Sequence, residues 1–369
     1  MSNQSPFFSG PLKMRETVRN FLESALGAVA RSSGLAALLR RARKHQVPIL
    51  SYHSLADRAD AHMSCLALAG MVLDRSRFRK QMEYVATHYR TLHLGEFARL
   101  CRERMPLPPN SCVITFDDGF LDADEIAVPI LEELQLKATF FVIGRPLADG
   151  RPPWPHSLYE LLDAAAPARC AAAFREAVPT LPSFAQESKA ALRAWLRDHL
   201  EAHDAAARRD LLERVRKRLG NPANPGTVRY LNAEQVRDLR DRGYEIGCHS
   251  MDHEILSRLT SEQIDDDIRR CVEIIEGIIG QRPEIFCYPF GGWGTWDDRV
   301  VEALKRNGFA CACTTERGLN DARTDPFALR RIVVRGGTSL SGFVAQLLGL
   351  HAPRRKVTRA WGQKGRTGC

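Results

Sequence analysis

The sequence predicts an α/β protein whose parallel strands form a closed or nearly closed barrel. Two observations lead there. Short strand-like runs alternate with helical segments from residue 48 onward, the pattern of parallel α/β architecture. Seven or eight such units fit into about 290 residues, as in a barrel whose functional residues sit at the C-terminal ends of its strands.

Ahead of the alternation, Met14, Val18, Phe21, Leu22, Ala25 and Val29 share one helical face, with Arg15, Glu16, Arg19 and Glu23 opposite. This predicts an amphipathic helix within a basic extension, residues 1–45. Such a helix docks on its own protein or lies on an anionic membrane surface, the second aided by Arg40, Arg41, Arg43 and Lys44. The barrel follows over residues 46–345. Its strand-like runs are "PILSYH" (48–53), "TLHL" (91–94), "SCVITF" (111–116), "ATFFVIG" (138–144), "YEIGCHS" (244–250), "EIFCYPF" (284–290), "FACACTT" (309–315) and "LRRIVV" (329–334). Helical segments fall near 76–89, 95–104, 122–135, 232–242, 260–279 and 297–307. The helix near 260 starts at Thr260, a good N-cap, with Gln263 three residues on, and sets Ile264, Ile268, Val272, Ile275 and Ile279 on one face. Residues 150–228 break the alternation. They read as Ala- and Arg-rich helix between "RPPWPH" and "GNPANPG", an insertion near the barrel mouth. A basic tail, 346–369, ends the chain.

Composition excludes some classes. Hydrophobic content of 44% and charged content of 26% are those of an ordinary globular protein. No apolar stretch approaches the ~20 residues that span a bilayer. Acids and arginines interrupt every apolar cluster of the N-terminus, so it does not read as a secretory signal. The ten cysteines are scattered without a CxxC, which suits reduced, buried thiols and a cytoplasmic setting. The net charge of +9 resides at the ends. Residues 1–45 carry +6 and residues 353–369 another +6, which leaves the 307 residues between at −3. Charge confined to the ends argues against a nucleic-acid reader.

Chemistry concentrates in two places. "VITFDDGFLDAD" (113–124) sets Asp117 and Asp118 side by side where a strand ends. Adjacent acids are either turn residues or a pair in which one holds a cation that lets its neighbour stay ionised. "CHSMDH" then places His249 and His253 just after the strand "YEIG", at a usual metal-ligand spacing. A lone HxxxH is more often structural. Here both sites lie at the same end of their strands, so Asp118, His249 and His253 can meet in space and leave open positions for water, as a catalytic zinc site requires. Asp117 is then free to take a proton from that water.

These residues together resemble the polysaccharide deacetylase family, the NodB-homology fold of carbohydrate esterases. "TFDDG" (115–119) is similar to its first motif, "HSMDH" (249–253) to its second, and "CYPFG" (287–291) to the end of its third. The resemblance covers roughly residues 46–345, apart from the insertion. It implies a distorted (β/α)7–8 barrel of the NodB type and hydrolysis of an N-acetyl group from an amino sugar. It further implies Asp117 as general base, a divalent metal, usually zinc, on Asp118, His249 and His253, and an oxyanion held by the backbone N–H of Phe290.

Two departures stand out. For the family's C-terminal L-x-H acid the chain offers only "LLGLHAPRR", which lacks the spacing and comes where the barrel should already have ended. His53, ending the first strand in "SYHSL", is the better acid, as in relatives resembling poly-N-acetylglucosamine deacetylases; its other reading is a structural histidine. Second, Cys287 stands where the family often has an arginine that orients the aspartate. Arg331 in "LRRIVV" is the candidate substitute, its alternative being a surface salt bridge. The leading function is therefore a metal-dependent deacetylase of an N-acetylated saccharide, whether a surface polysaccharide, its precursor, or a lipid- or nucleotide-linked sugar. A C–N hydrolase of a formamide or cyclic amide, and a saccharide-binding protein on an inactive scaffold, are the other readings. Trp154 and Tyr159 of the insertion either line a sugar subsite or belong to helices that simply cover the barrel.

Overall fold

Strands apolar on both faces need cover on both, and a curved parallel sheet wrapped by helices supplies it. The computed structural model describes residues 9–57, 64–183, 188–220 and 228–350. Its strands are β1 (Ile49–Tyr52), β2 (Ser54–Ala56), β3 (Val72–Asp74), β4 (Arg90–Leu92), β5 (Ser111–Phe116), β6 (Thr139–Val142), β7 (Glu245–Cys248), β8 (Ile285–Cys287), β9 (Cys311–Cys313) and β10 (Ile332–Val333). The main sheet runs β10-β1-β5-β6-β7-β8-β9, with β4 paired to the start of β5. Every residue of β1, β5 and β6 is buried.

Just before β10, Leu329 forms a parallel bridge with Cys313 of β9, and β10 itself pairs with β1. The Leu329 N–H donates to the Ala312 carbonyl at 3.1 Å, and the Thr314 N–H to the Leu329 carbonyl at 2.8 Å. The two edges of the sheet are thereby drawn together, and the barrel is distorted because one irregular bridge does the closing. Register levels the strand ends. Tyr52 pairs with Phe116 and Val142 with Cys248, so His53, Asp117 and His249 all follow at one mouth.

Each expected barrel strand and helix is present. The helix Ser261–Ile279 has the Thr260–Gln263 capping box, and its isoleucine and valine face is buried. The pairing of β2 with β3 was not legible, because strands of three residues carry no usable periodicity. Between β6 and β7 the insertion folds into helices Trp154–Asp163, Pro167–Ala177, Lys189–Glu201 and Ala205–Arg218. They share their own core of Leu158, Phe174, Leu196 and Leu212, which Phe120 joins from the loop after β5. The insertion therefore sits over the mouth.

The N-terminal helix, Ser9–Ser32, packs on the helix Leu340–Leu347, but through a different face from the apolar one. Glu23, Gly27 and Ala30 are buried, whereas Val18, Phe21, Leu22, Ala25 and Val29 are exposed; the side chain of Met14 lies outside the described part. A methyl group on Gly27 would strike the Ser341 carbonyl, so glycine permits the close backbone approach. Glu23 is drawn inward by Arg317, whose two Nη atoms lie at 2.7 and 2.8 Å, and by Gln346 Nε2 at 2.9 Å. Among the described residues no helix is long and apolar enough to cross a membrane. The tail from residue 351, which begins with the histidine of "LLGLHAPRR", lies outside the described residues.

Removing one partner of a buried ion pair strands the other. Glu23→Ala should lower the unfolding free energy by about 3–5 kcal/mol, while Phe21→Ser on the exposed face should change it by about 0.5 kcal/mol or less. Urea titrations of both variants read this; equal losses would mean the apolar face is the docked one.

Candidate active site

The chain turns sharply after β5. Asp118 and Gly119 are both left-handed, with φ of 72° and 69°. Gly119 also lies against Val142, whose side chain would be 3.2 Å from an added Cβ, so no other residue fits without movement. Among the described residues seven non-glycine residues have positive φ, and four of them (Asp118, Ser250, His253, Phe290) lie in loops at this mouth. Local strain is thus concentrated where side chains must be aimed.

Asp118 Oδ1 lies 3.3 Å from His249 Nε2 and 3.4 Å from His253 Nε2, with all three residues buried. That oxygen has no hydrogen-bond partner among the described residues. Three donor atoms converging on one point, with a buried carboxylate oxygen otherwise orphaned, fit a cation. His249 Nδ1 is 2.8 Å from the Cys287 carbonyl; donating there leaves the Nε2 lone pair facing Asp118. The His253 turn is held by its own N–H on Ser250 Oγ at 2.9 Å. Asp267 accepts the N–H groups of Met251 and Asp252 at 2.9 and 3.2 Å. Burial alone would raise the Asp118 carboxyl, but the imidazoles closing on it hold it well below the usual carboxylate range. A second group, Asp117, His249 and Cys287, also converges. It fits a cation less well: Asp117 and His249 Nδ1 are already engaged, and burial pushes the Cys287 thiol up, keeping it protonated.

Asp117 is committed differently. Its Oδ1 accepts from Arg331 Nη1 at 2.7 Å, and its Oδ2 accepts from Ser51 Oγ at 3.1 Å. Burial would raise this carboxyl too, yet the Arg331 guanidinium, with His53 and His249, brings it below its ordinary value. Arg331 is 1% exposed, so the contact is no surface salt bridge. Its Nε donates to the Thr314 carbonyl at 2.8 Å and its Nη1 to Thr115 Oγ1 at 3.2 Å. Cys287 Sγ is 3.8 Å from the same Asp117 oxygen; the small thiol leaves room that the arginine, arriving from the last strand, occupies.

His53 Nε2 stands 3.8 Å from Asp117 Oδ2. Burial lowers the ring's pKa against the pull of both aspartates. Asp122 fixes the segment that carries it, accepting from Ser54 Oγ at 2.5 Å and the Leu55 N–H at 3.0 Å. Phe290 has φ 61°, its ring packs on His253 with centroids 4.9 Å apart, and its N–H has no partner among the described residues. His53, Asp117, Asp118, His249, His253, Phe290 and Arg331 thus all border one cavity of about 700 Å³.

The insertion adds to that cavity. His156, not anticipated from the sequence, has Nε2 3.7 Å from Asp118 Oδ2 and Nδ1 2.5 Å from the Tyr230 hydroxyl. Burial lowers its pKa to about 4 despite Asp118. The available signal was "HSLY", which places His156 and Tyr159 on one helical face in an otherwise Ala/Arg-rich segment. Tyr159 borders the cavity. Trp154 is instead buried in support, stacked on Phe290 at 5.9 Å, with the Arg208 guanidinium 4.9 Å from its ring and Arg208 paired to Glu254.

The sequence model of the family described as "Polysaccharide deacetylase" matches residues 104–170 and 195–312. The chain is 21% identical over 313 residues to YxkH of Bacillus subtilis, which bears the name of a polysaccharide deacetylase; the match covers 84% of this chain and 79% of that one. In structure it is similar to the Streptococcus pyogenes deacetylase PplD, solved in complex with acetate (TM-score 0.54, 16% identity, covering 82% of this chain and 98% of that one). It is also similar to IcaB from Ammonifex degensii (TM-score 0.52, 16% identity, 82% and 97%). At these identities the structural likeness establishes the distorted barrel fold alone.

One pH effect follows from the way His53 is held. Burial pushes Asp122 up to about 7, from the ~3.9 of an exposed aspartate. The protonated carboxyl therefore stabilises the fold fully below about pH 4, and that contribution is lost as pH rises through about 7. Asp122→Asn cannot ionise, so its Tm should gain on the wild type between about pH 5 and about pH 8. Calorimetric scans across that range would show it; a constant difference would mean Asp122 is ionised throughout.

Proposed function

The chain belongs to the polysaccharide deacetylase family, and from that premise we propose that its centre hydrolyses the N-acetyl group of an amino-sugar saccharide with the help of zinc. The observation that carries this is the division of labour between adjacent acids: Asp118 converges with two imidazoles on one point, while Asp117 is held ionised by Arg331 beside it. Asp118, His249 and His253 would hold the cation, and one carboxylate with two imidazoles suits zinc. When bound, the cation supplies Lewis acidity toward the amide carbonyl and the attacking water.

The chain's own residues supply the rest. Asp117 takes the proton from the attacking water, and Arg331 keeps that carboxylate charged and aimed. The Phe290 N–H meets the oxyanion as the carbonyl carbon becomes tetrahedral. The C–N bond then breaks, acetate departs, and the amine nitrogen receives a proton through His53 Nε2, next to Asp117 Oδ2. Trp154 behind Phe290, and Arg208 behind Trp154, keep the oxyanion side rigid.

The test is metal content by mass spectrometry together with acetate release from N-acetylated oligosaccharides. Wild type should carry about one zinc per chain and release acetate. His253→Ala should lose the metal. Asp117→Asn should keep the metal and lose about 10²–10⁴-fold in rate, and Arg331→Met should likewise keep metal while turnover falls. Zinc-loaded wild type that releases formate from N-formyl substrates, and no acetate, would move the reading to a deformylase.

We also propose that the enzyme meets its substrate in the cytoplasm, at the inner face of the membrane. Val18, Phe21, Leu22, Leu26 and Val29 form an exposed apolar stripe, and Arg41 and Lys44 nearby in sequence are exposed. An apolar stripe with basic neighbours suits an anionic lipid surface. Sedimentation with phosphatidylglycerol vesicles should capture wild type and release the Phe21→Ser/Leu22→Ser variant; equal binding of both excludes the stripe as the contact.

A further inference from the structure

Five arginines border the cavity: Arg193, Arg197, Arg317, Arg331 and Arg335. Four have partners in the protein. Arg331 is paired with Asp117, Arg317 with Glu23, and Arg197 with Asp198 at 2.7 Å and Glu201 at 3.5 Å, while Arg335 donates to the Ala69 carbonyl at 3.3 Å. Arg193 differs. Its Nε and Nη1 are buried and have no hydrogen-bond partner among the described residues. These atoms carry one and two N–H groups respectively, on a group that does not lose its charge.

Among the described residues no carboxylate pairs with that charge. The guanidinium lies 5.8 Å from the centre of the Tyr159 ring and hydrogen-bonds the Tyr159 side chain, favourable contacts that supply no countercharge. Asp163, the acid at the end of the Tyr159 helix, is taken by Lys189 Nζ at 2.9 Å and by the Cys65 N–H at 3.0 Å. Arg193 is half-buried, and buried N–H groups of a cation left without a partner are costly unless a ligand completes them. A sugar hydroxyl would satisfy the N–H groups yet leave the charge uncompensated; an oxyanion does both, and charge-assisted contacts of this kind are the stronger ones.

We propose that Arg193, flanked by Arg197 one helical turn on, is a subsite for an oxyanion carried by the substrate, a phosphate or a carboxylate. Two ring contacts connect it to the reacting centre. Tyr159 lies 6.0 Å, ring to ring, from His156, whose Nε2 is 3.7 Å from Asp118. The anion is thus attached to the same molecule as the acetamido group but away from it, as on a sugar phosphate or a neighbouring uronic acid. The insertion, rather than the barrel, sets this preference. The inference rests on the deacetylase reading only for the neutral part of the ligand.

Binding separates the two. Calorimetry on zinc-loaded Asp117→Asn protein would compare N-acetylglucosamine, N-acetylglucosamine 1-phosphate and an N-acetylglucosaminyl-glucuronic acid disaccharide. One of the anionic ligands should bind at least about 10-fold more tightly than the neutral sugar. The preference should vanish when Arg193→Gln is added and persist with Arg193→Lys, both folded by thermal melting. Whichever anion is preferred identifies the source of the charge. Equal binding of all three, no binding of either anion, or a preference that survives Arg193→Gln overturns the proposal. Acetate release from a neutral oligosaccharide judges the deacetylase reading separately.

Discussion

Two neighbouring carboxylates, each at most 2% exposed, are the constraint around which this mouth of the barrel is arranged. Each needs its own countercharge, and the two cannot share one without losing their separate roles. Asp117 is answered by Arg331 from the last strand. Asp118 converges with two imidazoles from the loop after β7, and a cation held among the three would answer its charge. Because these partners come from strands far apart in sequence, the barrel must nearly close before either acid can be buried ionised. The bridge between Leu329 and Cys313 therefore matters as much to the proposed chemistry as any residue of the site.

With a cysteine at position 287, the guanidinium that Asp117 needs comes from elsewhere in the chain. What Asp117 requires is a guanidinium within hydrogen-bond reach, not one from a given strand. The Cys287 thiol beside Asp117 is small enough for Arg331 to enter from the segment just before β10, and Thr115 and the Thr314 carbonyl hold it there. The insertion plays a comparable part on the opposite side. It has its own apolar core, so it can set His156, Tyr159 and Arg193 along the cavity without disturbing the barrel's packing.

Local patterns made some of this legible. Alternating runs and helix caps locate the strands and the helix after Thr260, because caps and periodicity are properties of adjacent residues. The acid pair and the two histidines lie within short motifs, so they could be read together, and Arg331 followed from asking what replaces a missing charge. The N-terminal helix misled for the same reason. Its apolar stripe is the obvious docking face by periodicity, but the small Gly27 and Ala30 allow closer backbone packing, and Glu23 is neutralised by Arg317, 294 residues away. Asp122 and Asp267 carry no local signal, and the HSLY pattern around His156 shows only a shared helical face, since each acts through a partner brought near only by folding.

By itself, then, the sequence determined the parallel α/β architecture, the acid pair and the histidine turn, for these depend on residue type and short spacing. Only the tertiary structure supplied the distances behind those pairings, with Asp118 Oδ1 at 3.3 and 3.4 Å from the imidazoles and Asp117 Oδ1 at 2.7 Å from Arg331. It likewise decided that His53 stands beside Asp117 and that Nε and Nη1 of Arg193 have no partner among the described residues. Charge compensation in a buried cavity depends on distances between remote segments, and those distances exist only once the barrel has closed and the insertion has settled over it.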